Sequence, residues 1–265
     1  MVPPTHRRPR TVPMSTDSTD SSPTPPSFGG FEGRVAAVTG AGRGIGRAVA
    51  DALAAKGART AYLDVNEPEP ALGCGENDMF VRCDVTDEAS VDAAFTTVEE
   101  NWGTVSILVN NAGIFWIRPL AEITLEAWNQ MMAVNTTGAF LCARRVLPGM
   151  RAQGYGRLIA LGSSAGKTGG AKETAAYGAS KAAIMAMAKS IATEYAADGI
   201  TSNALAPALI NTDMVAGIAD LAGRIPVGRL GEPADIAAAV VFLASEEAGF
   251  ITGEVMDING GFLID

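Results

Sequence analysis

Tyr177 and Lys181 stand four positions apart in the string Tyr177-Gly178-Ala179-Ser180-Lys181, near the start of a long stretch with a helical apolar pattern. Residues i and i+4 share one face of a helix, so a phenol and an ammonium group can meet at a common site. A phenol ordinarily ionises near pH ~10, too high for a useful base. A neighbouring positive charge favours the phenolate, giving a group that can take or give a proton near neutrality. The spacing alone arises by chance on many helix surfaces. Ser164 adds to it, 13 residues before Tyr177, just past an apolar strand and ahead of a glycine-containing loop. Its hydroxyl can hydrogen-bond a substrate oxygen, although a serine at a strand end is also an ordinary turn residue.

A second set lies near the start of the folded region. An apolar run ends in Thr39-Gly40-Ala41-Gly42-Arg43-Gly44-Ile45-Gly46, and a helical pattern follows at once. Glycines there let the backbone turn tightly and bring N–H groups close to a pyrophosphate at a positive helix end. Asp64 closes the next apolar run, 18 positions beyond Gly46. Strand, glycine loop, helix and a following carboxylate together predict a dinucleotide site. A carboxylate at that place accepts hydrogen bonds from ribose hydroxyls and repels a 2′-phosphate, which favours NAD over NADP. Arg43 is the competing signal, since it could pair with that phosphate.

These side chains need a scaffold. Apolar runs predict strands at Val35–Thr39, Thr60–Asp64, Phe80–Asp84, Ile107–Asn110, Leu158–Ser163, Thr201–Ala206 and Val255–Ile258. Between most of them, helical patterns cover Gly46–Lys56, Ala89–Glu100, Leu125–Arg145 and Ala175–Ala197. Such alternation implies an α/β fold with a doubly wound parallel sheet of the Rossmann type, seven strands with helices on both faces, in a single domain. Pro68, Pro70, Gly73 and Gly75 argue against a long helix between the second and third strands. Residues 1–30 are rich in Pro, Ser and Thr and read as a disordered tail, leaving 31–265 as the domain that holds both the cofactor and the substrate sites.

Composition removes several functions. The formal net charge is −9, so nucleic-acid binding is a poor expectation. The sole histidine is His6, in the tail, which argues against Ser–His–Asp hydrolysis and His-zinc sites in the folded region. No metal site is expected. Cys74, Cys83 and Cys142 form no CxxC pair and are odd in number, as suits a reducing cytoplasmic interior. No run is long and apolar enough for a membrane span or a secretory signal.

The whole pattern resembles the short-chain dehydrogenase/reductase family. The matching strings are Thr39–Gly46, Asp84-Val85, Asn110-Asn111-Ala112-Gly113, Val134-Asn135, Ser163-Ser164, Tyr177–Lys181, Asn203–Thr212 and Gly260-Gly261, in the family's order and spacing from about residue 33 onward. The resemblance implies hydride transfer between NAD(H) and a secondary alcohol or ketone. It implies Tyr177 as the acid–base group, Ser164 on the substrate oxygen, and Lys181 lowering the Tyr177 pKa while holding the nicotinamide ribose. Asn135 would anchor a relay water. Asn111, Ala112 and Gly113 would line the cofactor, Asp84 and Val85 would meet adenine, and Pro207, Ile210 and Thr212 would close over the nicotinamide end. It also implies a homotetramer, paired through helix faces carrying Met131, Met132, Phe140, Ile184, Met187 and Ile191.

One departure is Pro207-Ala208, where the family usually has Pro-Gly. If that glycine serves a positive φ, Ala208 would shift the covering loop. Ile114, Phe115, Trp116 and Ile117, with Leu209, Ile210 and Met214, describe an apolar pocket suited to a hydrophobic or cyclic small-molecule substrate. A 3-oxoacyl reductase for carrier-protein or coenzyme A thioesters, or a sugar dehydrogenase, is the alternative within the family. Carrier-protein reductases usually dock their acidic partner with basic residues, and two such positions align with Tyr155 and Asp198 here. A non-catalytic NAD-binding regulator is the alternative of another class, against which the complete Ser–Tyr–Lys set speaks.

Overall fold

The computed structural model describes residues 30–68, 75–212, 223 and 225–264. Seven strands, β1 (Val35–Thr39), β2 (Arg59–Asp64), β3 (Asp78–Arg82), β4 (Ile107–Asn110), β5 (Gly156–Leu161), β6 (Ile200–Pro207) and β7 (Val255–Ile258), form one sheet. Their order is β3-β2-β1-β4-β5-β6-β7, and every neighbouring pair is parallel. Alternate residues of β1 feed the two faces: Ala36 and Val38 pack with Val49, Leu53, Ile236 and Val240, while Val35 and Ala37 pack with Phe95, Val98, Cys142 and Val146. A strand covered on both faces must be apolar at every position, which is why β1 reads as a continuous run.

The helices are α1 (Gly44–Ala55), α2 (Glu88–Trp102), α3 (Leu125–Met132), α4 (Gly138–Gln153), α5 (Ser164–Thr168), α6 (Ala175–Tyr195) and α7 (Pro233–Ala244). The chain winds outward from β1 through β2 to β3, then returns to the other side of β1 as β4. The strand order therefore reverses between β1 and β4, and their carboxyl ends open a crevice of the kind where α/β sheets bind ligands. The chain runs β2 to β3 with no helix over residues 65–68 and 75–77, as the prolines and glycines require. The expected tail lies almost wholly outside the described residues.

Two elements differ from the sequence expectation. The single helix expected over Leu125–Arg145 is α3 and α4 joined by a π-turn, Ala133–Thr137, and it runs on to Gln153. Such a bulge changes the helical register at one place, and it carries Asn135. Helix α7 was not expected. Its residues are apolar nearly all round, so they show little periodicity, but its start is written in Glu232-Pro233-Ala234-Asp235. Glu232 and Asp235 form a reciprocal capping box with Pro233 in the first turn.

Candidate active site

The β1 and β4 loops are stitched together by Thr39 and Asn111. Thr39 Oγ1 accepts from the N–H groups of Asn111 and Ala112 at 3.0 and 3.1 Å. The Asn111 side-chain amide donates to the carbonyls of Thr39 and Gly40 at 2.9 and 3.0 Å. Helix α1 enters this knot so closely that a Cβ on Gly46 would stand 2.1 Å from the Gly40 oxygen. The first turn of α1 holds no acidic residue, and Arg43 at its N-cap makes no side-chain capping bond. Its positive end is thus open to an anion.

Asp64 stands beside that end. Its carboxylate accepts from the N–H of Gly42 at 2.9 Å and of Asn66 at 3.0 Å, which fixes it at the tip of β2. Arg43 and Gly44 are exposed and Ile45 is half-buried against the core. Thr212 lies over the loop, with its methyl 3.7 Å from where a Gly44 Cβ would be. A glycine cradle, an uncapped helix end and a fixed carboxylate are the parts a dinucleotide requires, and the residues fit one.

Other expected cofactor residues are placed as follows. Asp84 lies just past β3, its carboxylate accepting from the Thr86 N–H and hydroxyl at 2.9 and 2.7 Å, and Val85 is buried against Gly138. Gly113 faces the reactive end, since a Cβ there would stand 3.3 Å from Asn135 Oδ1 and 3.4 Å from Lys181 Nζ. Pro207 ends β6, and Ile210 is buried and bridged to Gly231. Ala208 does not take a positive φ, so it needs no glycine and does not displace the loop. Met214 lies outside the described residues.

At the other end of the crevice, Tyr177 projects from the start of α6. Helix α5 lies tightly on α6, where a Cβ on Gly178 would come 2.7 Å from the Gly169 oxygen. This approach decides which serine meets the phenol. The residue hydrogen-bonded to Tyr177 is Ser163, not Ser164. Ser163 is the N-cap of α5, where its Oγ also accepts from the Ala165 N–H at 3.1 Å. Ser164 is the first residue inside α5, and its carbonyl accepts from the Thr168 hydroxyl. The contact with the phenol thus falls one residue before the expected Ser164. Adjacent serines are equally good caps, and only the packing of α5 on α6 separates them.

Lys181, one turn beyond Tyr177, is buried, with Nζ donating to the Leu161 carbonyl at 2.7 Å and lying 5.8 Å from the centre of the Tyr177 ring. Burial lowers its pKa to about 8. Burial also pushes the Tyr177 phenol above its ordinary value, and the Ser163 hydroxyl draws it back only in part. Desolvation, and not the expected lowering by the ammonium, decides the direction here. Asn135 is buried, its Oδ1 accepting from the Ile114 N–H at 2.8 Å and its Nδ2 donating to the Ile114 carbonyl and to Ser180 Oγ, both at 3.0 Å. With both ends of its amide engaged, its side chain positions the β4 loop. The Phe115 ring meets Tyr177 edge-on, 4.9 Å between centroids.

A family model described as enoyl-(acyl carrier protein) reductase matches residues 40–263. The 3-oxoacyl-[acyl-carrier-protein] reductase FabG of Escherichia coli (strain K12) is 41% identical over 239 residues, 87% of this chain and 98% of that protein. The chain belongs to the short-chain dehydrogenase/reductase family. A second relative of that similarity is the cis-4-hydroxycyclohexanecarboxylate dehydrogenase of Sinomonas cyclohexanicum, 39% identical over 243 residues, 88% of this chain and 97% of that one. Among solved structures, a putative gluconate dehydrogenase from Agrobacterium tumefaciens superposes with a TM-score of 0.83 at 31% identity, covering 89% of this chain and 97% of that chain. The protein is therefore a short-chain oxidoreductase acting on CH–OH groups or ketones, and its cofactor is a nicotinamide dinucleotide. Among the described residues, no helix is long and apolar enough to cross a membrane, and no cluster of three or more His, Cys, Asp or Glu could hold a metal ion.

Proposed function

We propose that this oxidoreductase exchanges hydride between NAD(H) and an apolar, cyclic secondary alcohol or its ketone. The observation that carries the reaction is the Ser163 hydroxyl on the Tyr177 phenol, with the Lys181 ammonium one helical turn away. A substrate oxygen set between Ser163 and Tyr177 receives a hydrogen bond from the first and exchanges a proton with Tyr177 Oη. The bound dinucleotide supplies the hydride chemistry. Lys181 keeps a donor beside the cofactor cleft, and Asn135 holds the loop that leads from Gly113 to Phe115. Ser163→Ala is expected to lower turnover on the order of a hundredfold, as when one donor to a reacting oxygen is removed. Ser164→Ala should stay within about threefold of wild type. Steady-state rates of the two variants, measured side by side, check the assignment, and the reverse ranking would restore Ser164.

The cyclic reading rests on Phe115, whose ring stands nearly perpendicular to that of Tyr177 at 4.9 Å and so puts an aromatic side chain beside the reacting residue. The name of the Sinomonas relative, a dehydrogenase of a hydroxycyclohexanecarboxylate, also points to a ring-borne alcohol. Against a carrier-protein substrate, the expected docking position Asp198 is acidic and already pairs with Arg151 at 3.1 Å.

For the cofactor, the fixed Asp64 carboxylate supports NAD. Catalytic efficiency with NAD should exceed that with NADP by at least about tenfold, a difference of ~1.4 kcal/mol, and Asp64→Ala should narrow the gap. A wild-type preference for NADP would give the decision to Arg43. The homotetramer is proposed with fewer residues than the sequence suggested. Met131 and Ile184 are buried within the fold, leaving exposed Phe140 with half-buried Met132, Met187 and Ile191 for the interface. Light scattering should give the mass of four chains, and a stable active monomer would exclude it. Buried, unpaired Cys83 and Cys142 support a cytoplasmic setting.

A further inference from the structure

Glu173 is the one non-glycine residue with a positive φ among the described residues, at 67°. A non-glycine side chain is strained in that left-handed region, so the surroundings must hold it there. Glu173 lies four residues before Tyr177, in the loop between α5 and α6. Its carbonyl accepts a hydrogen bond from the Arg118 N–H at 2.8 Å. Arg118 closes the segment that begins at Ile114, and this segment has no regular secondary structure. It is pinned at one end by Asn135, which bonds both backbone groups of Ile114, and at the other by Glu173. Phe115, whose ring touches Tyr177, lies between the two pins.

We propose that left-handed Glu173 is a positioning residue that latches Arg118 and so fixes Phe115 against Tyr177, setting which alcohols the cleft admits. The backbone does this, not the carboxylate. The Glu173 carboxylate pairs with the exposed Lys172 ammonium at 3.5 Å, a surface pair of small weight. Relaxing Glu173 to a negative φ would turn its carbonyl off Arg118 and free that end of the segment. The proposal rests on the reading of Tyr177 and Phe115 as the reacting group and its wall.

The test is a series at residue 173, ordered by tolerance of a left-handed backbone. Glu173→Gly and Glu173→Asn adopt it readily, Glu173→Gln and Glu173→Ala keep the wild-type Cβ and its cost, and β-branched Glu173→Val and Glu173→Thr resist it most. Two readouts are taken on the full-length protein: hydrogen exchange at the Arg118 amide without substrate, and kinetics with cyclohexanol and 2-propanol. Gly, Asn and Gln variants should match wild type in both. Glu173→Val should exchange at Arg118 about tenfold faster or more, and its KM for cyclohexanol should rise about tenfold while kcat changes less than about threefold. Its preference for cyclohexanol over 2-propanol should fall in step. If Glu173→Val cannot be purified folded, β-branched Glu173→Thr carries the same test with a smaller effect. Equal exchange in all variants overturns the latch. Faster exchange with unchanged preference overturns its part in specificity, and loss in Glu173→Gln, Gly and Asn alike would assign the effect to the carboxylate. Exchange that follows the backbone order in a protein that oxidises no cyclic alcohol overturns the substrate reading instead, and leaves the latch standing.

Discussion

Tyr177→Phe is expected to lose turnover by a hundredfold or more, on the order of what a positioned acid–base group contributes. Phenylalanine keeps the ring and with it the edge contact to Phe115. What disappears is the single oxygen that faces Ser163 and can move a proton to or from the substrate. The folded region has no histidine to replace it, because the chain's only one is His6. Lys181 shares the Tyr177 face of α6, but its Nζ lies 5.8 Å from the centre of the Tyr177 ring and donates to the Leu161 carbonyl, on the strand side. The raised pKa of Tyr177 adds a direction. A phenol held above its ordinary value is protonated at neutral pH, ready to give its proton to a ketone being reduced. Oxidation of the alcohol needs phenolate and should gain rate as pH rises, while reduction should hold its rate to higher pH. Dinucleotide affinity should barely change, since the Gly40–Gly46 loop and Asp64 lie at the other end of the crevice. Stopped-flow turnover in both directions across pH, with dinucleotide binding followed by fluorescence, checks this. Near-normal rates in Tyr177→Phe would mean that the proton travels by another route.

How much of this was legible in the sequence depends on the range of the forces involved. The β1–loop–α1 unit, Asp64 and the Tyr177–Lys181 spacing are local patterns, and each stands where its residues predicted. Ser163 was missed because two neighbouring serines have the same local chemistry, and α5 must first dock on α6 through Gly178 before one of them faces the phenol. The π-turn at Ala133–Thr137 was missed for a similar reason. Asn135 turns inward to satisfy Ile114 and Ser180, both remote in sequence. Helix α7 was readable, since Glu232, Pro233 and Asp235 announce its start, but its nearly uniform apolar surface hid the period. The charges were hardest. Spacing showed that Lys181 and Tyr177 share a face, yet it could not show that the face is buried deeply enough for desolvation to outweigh their mutual effect.

That burial leads to the second expected result: Lys181→Met should be nearly inactive and yet more stable without cofactor. In the folded protein the ammonium is 5% exposed and its pKa falls from 10.5 to about 8. The unfolded chain restores the ordinary value. Between about pH 8 and 10.5 the unfolded state therefore binds more protons than the folded one, and wild-type stability contributed by this group rises with pH across that window. Below about pH 8 both states carry the proton and the whole penalty of burying the charge stands, on the order of 3 kcal/mol for such a shift. Methionine has a similar length and no charge, so it removes the penalty. It also leaves the Leu161 carbonyl without its donor, which costs about 1–3 kcal/mol. The net gain at pH 7 should be about 0–2 kcal/mol and should shrink towards zero or reverse as pH approaches 10.5. Activity should move the other way, with turnover down about a hundredfold or more and dinucleotide binding weakened, because the donor beside the cofactor cleft has gone. Urea denaturation of both proteins at pH 7 and pH 10, alongside kinetics, tests the two halves together. A variant that is less stable at pH 7 would show that the Lys181 ammonium is held by interactions stronger than its desolvation, and the protein would then carry no stability penalty for keeping a cation beside Tyr177.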